Sequence, residues 1–250
     1  MRFNIFSLSH GWRGFLLEIA IVVIGVLIAL WTGQLAETWN WRHKVDVAEG
    51  QLQRESAPNF FVSAEQVVVA PCVDAQLAAL QTRLLASGDV LDPAPLYKYD
   101  LFRYVYRAPS RSYPSVAWHA INGDGTAAHL DNRRHDQYAE AYTYVAVLEQ
   151  MARESDNVLG RLTVLGAAIP LDASTRAGLL GDIEEQRSRN GLQSIVALQL
   201  MGTLRDLGVA PPTEEVVDGL EKNSGTTQFC REHQLPVADW RTALAALPSA

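Results

Sequence analysis

No stretch of this sequence names a reaction. It has no nucleophile elbow, no HExxH and no paired-carboxylate motif in a recognisable setting, so no enzyme class is indicated and no cofactor is expected. A basic excess is missing too: 21 Lys and Arg stand against 28 Asp and Glu for a formal net charge of −7. That balance argues against nucleic acid as a partner, because gripping duplex phosphates needs a surplus of cations. Runs with period-two alternation are missing, which argues against a β-sheet. Cysteine is scarce, with 2 in 250 residues, Cys72 and Cys230, and neither CxxC nor Cys/His spacing that would suggest zinc or dithiol redox chemistry. The two either pair and close a long loop or persist as buried free thiols.

What is present is one long apolar run. Between Phe15 and Leu35 only Glu18 is charged, and as a helix the run covers about 31 Å, the thickness of a bilayer core. Trp12 and Trp31 stand near its two ends, where interfacial rings mark the headgroup levels. The run is too long for the apolar core of a secretory signal, and no small-x-small cleavage site follows Trp31, so it is expected to persist as an anchor. Arg2, Arg13 and the amino terminus precede it without an acid, whereas Arg42 and Lys44 lie among Glu37, Asp46 and Glu49 beyond it. This asymmetry places the N-terminus in the cytoplasm of a bacterial inner membrane protein and the C-terminal domain in the periplasm. A second apolar stretch, Ser194 to Leu204, is too short to span.

Within the run, Gly25, Ala29 and Gly33 recur every fourth residue and form a small-residue ridge, extended by Ile21 and flanked by Glu18. One reading makes this a docking face for another membrane span or a second copy, since an intramembrane acid usually faces a partner or water. The other takes Gly and Ala as ordinary span residues and lets Glu18 reach the headgroups.

The chain divides into a tail at 1–14, the span at 15–35, a juxtamembrane stalk at 36–57 and a soluble domain at 58–250. The stalk continues the span as helix through Arg54, with Trp41, Val45, Ala48 and Leu52 on one face, until Pro58 breaks it. A second helix is expected from Asn59 to Ala86, with Pro71 as a candidate kink. A short helix, Leu96 to Arg107, would align Arg103 and Arg107 with Arg111 as a basic stripe. That stripe reads either as a docking surface for an anionic partner or as a solvated face whose tyrosines pack inward. Long helices follow, from a cap at Asp131 or Asn132 to Gly166, and from Asp172 or Ser174 to about Leu207 through Leu180, Ile183, Leu192, Ile195, Val196 and Leu200. Thr213 caps a short helix, and the tail with Cys230 is expected to be irregular. His119, His129 and His135 fit no ligand spacing and read as surface or capping residues. The sum is an all-α protein: an anchor, a stalk and a bundle of about four main helices.

Glu18-Ile19, the run from Val22 to Leu30, and then Trp39-Asn40 and Arg42 resemble the N-terminus of a family of uncharacterised single-span bacterial membrane proteins. In that family a Glu-Ile pair, an Ile-Gly-x-Leu-Ile-Ala-Leu run and a Trp-Asn pair lead into a charged helix. Trp31-Thr32-Gly33 departs from the polar residues found there. The resemblance implies the same architecture and carries no activity.

Two functions follow as expectations. The first is an accessory or structural subunit whose span and bundle dock onto a membrane protein complex or onto a second copy, with the lipid bilayer as its other partner. The second is an extracytoplasmic sensory or ligand-binding bundle that signals through a separate transducer, and it requires a ligand-sized pocket.

Overall fold

The computed structural model describes residues 12–99 and 102–247. Arg2, with the rest of the first eleven residues, and the side chain of Arg13 lie outside the described residues. The protein is all-α, with seven α-helices among the described residues and a single two-stranded hairpin.

Helix α1, Trp12–Ala86, is 75 residues long and runs through both Pro58 and Pro71. The expected break at Pro58 does not occur. A proline inside a helix removes one hydrogen bond and crowds the preceding turn, at about 3 kcal/mol. Here that cost is outweighed by burial on either side of each proline: Leu52, Phe60, Val69, Val73, Leu77 and Leu84 all belong to the core. At roughly 1.5 to 3 kcal/mol per fully buried large aliphatic side chain, a few such residues exceed the two proline penalties. Pro58 itself is exposed, so Pro58→Ala leaves no cavity and returns a donor to the Arg54 carbonyl. It is expected to raise stability by about 1 to 3 kcal/mol in chemical denaturation of the detergent-solubilised chain.

The proposed stalk is therefore part of the bundle. Ala48 and Leu52 are already buried, and the Trp41 ring stacks on His129 with centroids 3.9 Å apart. Trp41 lies only about 9 Å along the helix beyond Leu35, so the floor of the bundle sits close to the end of the apolar run.

Helix α2, Val116–Gly123, turns at Gly125, whose φ of 80° is the left-handed conformation that glycine adopts without strain, into a 3-10 turn at Thr126–His129. Helix α3, Asn132–Leu162, starts where expected, because the Asp131 side chain accepts hydrogen bonds from the Arg133 and Arg134 amides. Helix α4, Ala173–Asp206, is capped in the same way by Asp172, which accepts from the Thr175 amide at 2.7 Å. Helix α4 packs between α1 and α3. Its core-facing residues include Ile183 and Leu200, which meet Leu77 and Leu84 of α1 and Tyr138 and Leu148 of α3 in one hydrophobic core.

Two expectations about the remaining chain are corrected. The segment read as a short helix is a hairpin: β1, Tyr97–Tyr99, pairs antiparallel with β2, Phe102–Tyr104, with Lys98 opposite Arg103. Aromatic residues alternating with basic ones suit a pleated strand better than a helix. The tail is not irregular either. After α5, Thr213–Asn223, it forms α6, Gly225–Glu232, and α7, Trp240–Ala245. Their caps are Ser224, accepting from the Thr227 amide, and Asp239, accepting from the Arg241 amide.

The end of α1 is held from outside. The Arg176 guanidinium donates to the carbonyl of Leu84, one of the last-turn acceptors left without an intrahelical partner, and to those of Ser87 and Gly88 just beyond the helix.

Candidate functional site

Among the described residues, the apolar part of α1 is covered by no other element. It is the one helix among the described residues long and apolar enough to cross a bilayer, and every residue from Phe15 to Asn40 is exposed. Glu18, Ile21, Gly25, Ala29 and Gly33 all belong to that surface, and a Cβ added at Gly25 or Gly33 would meet no atom within 4 Å. The Trp12 and Trp31 rings are exposed as well.

The three arginines do not share a face. Arg103 lies exposed on β2, in a strand and not a helix. Arg107 follows the hairpin, and its amide donates to Gln76 Oε1 at 2.7 Å while Gln76 Nε2 donates to its carbonyl at 3.1 Å. Arg111 is structural: its Nε donates to Glu65 Oε2 at 2.7 Å, its Nη2 to the Asn223 carbonyl, and the guanidinium lies over the Phe61 ring at 5.2 Å. Glu65, 2% exposed, also accepts from Ser224 Oγ at 2.6 Å. Arg111 thus neutralises a buried carboxylate of α1 and ties α5 to it.

Cys72 and Cys230 are joined in a disulfide between α1 and α6, with Cα atoms 6.0 Å apart. Both are fully buried. The histidines serve packing and surface roles: His129 stacks on Trp41, and His135 lies 3.2 Å from Asp136. Among the described residues no group of three or more His, Cys, Asp and Glu is arranged to hold a metal ion.

A cavity of about 300 Å³ lies where α1, α3 and α4 meet the strap that follows the hairpin. This is the lower end of ligand-pocket sizes. Leu148, Val62 and Val73 form part of its apolar wall, Tyr104 lines it from β2, and Tyr106 and Tyr113 line it from the strap. Its polar lining is unusual for a bundle interior. Gln66 of α1 and Gln186, Asn190 and Gln193 of α4 all line it and are all at least nine-tenths buried. Gln66 Nε2 donates to Asn190 Oδ1 at 3.3 Å, Asn190 Nδ2 to the Ala70 carbonyl at 2.8 Å, and Gln193 Nε2 to Ser155 Oγ at 3.4 Å. Gln186 Oε1 is buried with no hydrogen-bond partner. Burial holds the Tyr106 hydroxyl well above its ordinary pKa, with Asp156 adding to the shift, so it stays a neutral donor. Desolvation also raises the carboxyl of Asp156 at the mouth.

These carboxamides escaped the sequence reading, which followed α4 through its apolar residues Leu180, Ile183, Leu192, Ile195, Val196 and Leu200, of which Ile183 and Leu200 are buried. Leu192 and Ile195 are exposed, and the buried face runs Ile183, Gln186, Asn190, Gln193, Ala197, Leu200. That stripe keeps the same three-and-four spacing, so the signal was present as polar residues in register with apolar ones.

No family model, curated protein or solved structure matches this chain.

Proposed function

We propose that this protein is a membrane-anchored accessory subunit of the uncharacterised single-span type it resembles. Its span docks against another membrane span or a second copy, and its helical domain covers the outer part of that assembly. The observation that carries the reading is the continuity of α1, a single helix that is uncovered along the apolar run and becomes the central scaffold of the bundle. A contact made in the membrane is thereby linked rigidly to the domain. The ridge at Gly25, Ala29 and Gly33 offers backbone-close packing, with Glu18 beside it as a polar partner. The Cys72–Cys230 disulfide favours an oxidising compartment, which supports a periplasmic domain and a cytoplasmic N-terminus.

Purification from native membranes in mild detergent should recover the chain with other spans or as an oligomer. Gly25→Leu should reduce the recovered partner by about tenfold, the scale of 1 to 2 kcal/mol in helix association. A wild-type chain that purifies alone as a monomer overturns the reading. A second reading, a ligand-binding bundle reporting through a separate transducer, is favoured by the polar cavity, which lies against α1 itself.

A further inference from the structure

We propose that the cavity between α1, α3 and α4 binds a small neutral polyol of monosaccharide size, an inference that rests on the ligand-binding reading. Three successive core-facing positions of α4, Gln186, Asn190 and Gln193, carry carboxamides where the flanking positions of the same stripe, Ile183 and Ala197, are apolar. Packing alone would favour apolar side chains there, since a buried polar atom without a partner is destabilising. Asn190 is accounted for by Gln66 and the Ala70 carbonyl. Gln186 is not: its Oε1 is buried at the cavity without a partner.

The class of ligand follows from the lining. The charged residues that line the cavity are of both signs and none of them is itself fully buried: Arg107, Arg111 and Arg153 stand with Glu149 and Asp156, Arg111 is engaged by Glu65, and Arg153 by Glu149 at 3.8 Å. A ligand of one sign would therefore meet charges of both signs, whereas the four buried carboxamides are neutral. Carboxamides offer a donor and an acceptor side by side, which matches the paired donor and acceptor capacity of neighbouring hydroxyls. Tyr106 adds a hydroxyl that stays protonated, and the tyrosine rings of the strap offer faces for the C–H side of a sugar ring. A cavity of about 300 Å³ suits one such ring and not an extended chain.

The test is calorimetric titration of the detergent-solubilised full chain with glucose, galactose, mannose and ribose, with glutamate and inorganic phosphate as charged probes. Saturable binding of at least one monosaccharide is expected, weakened roughly tenfold or more by Gln186→Leu. The same variant should melt no lower than wild type without ligand, because it removes the orphaned oxygen. Ala152→Phe, which fills the cavity from α3, should abolish binding independently of α4. Binding of only the charged probes overturns the ligand class and leaves the ligand-binding reading standing. Binding of none of the six overturns both, and monosaccharide binding that neither variant weakens overturns the cavity as the site.

Discussion

Cys72→Ala/Cys230→Ala is expected to lower the free energy of unfolding by about 5 kcal/mol, from the chain entropy that a cross-link over 158 residues removes from the unfolded state. The native consequence is local. Helices α6 and α7 are short, and the disulfide fixes α6 to the middle of α1. Without it, the tail keeps the hydrogen bond from the Ala238 amide to the Val68 carbonyl at 2.9 Å and the edge contact of Trp240 with Phe60. Amide exchange over 225–245 should therefore rise before the rest of the bundle opens. Denaturant titration of the solubilised chain with and without reductant measures the effect. Reductant should destabilise the wild type by a similar amount and leave the double variant unchanged.

Arg111→Ala should cost about 2 to 3 kcal/mol. Removing one member of a buried pair leaves the other charge uncompensated, and Glu65 is 2% exposed, with Ser224 Oγ still donating to it at 2.6 Å. The figure falls below the 3 to 5 kcal/mol of a fully buried pair because the Arg111 side chain is 39% exposed. Adding Glu65→Gln to Arg111→Ala should recover part of the loss, since the uncompensated charge is then gone, and a double-mutant cycle in denaturant reads that coupling. Arg103→Ala, on the exposed strand, should stay within about 0.5 kcal/mol of wild type. Equal losses at Arg103 and Arg111 would restore the view of the arginines as one surface.

The contrast between these arginines shows how far the sequence reached. Arg103, Arg107 and Arg111 stand four apart, which on a helix would be a stripe. The chain instead enters a hairpin and then a strap, so one faces solvent, one sits against Gln76 and one closes a buried ion pair. The alternation of aromatic and basic residues in Tyr97–Tyr99 and Phe102–Tyr104 carried the strand signal, but three-residue strands are too short to stand out from a helical reading.

The sequence by itself determined the features that depend on nearby residues or on solvent alone. The apolar run from Phe15 to Leu35 is set by its length and by the absence of charge other than Glu18. The starts of α3 and α4 are set by Asp131 and Asp172, each of which caps amides two or three residues away. Tertiary structure decided the rest, because those outcomes rest on contacts between residues far apart in the chain. Helix α1 passes through Pro58 and Pro71 because burial against α4 outweighs the lost hydrogen bonds. Cys72 meets Cys230 only after α6 folds back on α1. Gln186, Asn190 and Gln193 line a cavity only because α4 is held between α1 and α3, turning a polar stretch of helix toward the interior.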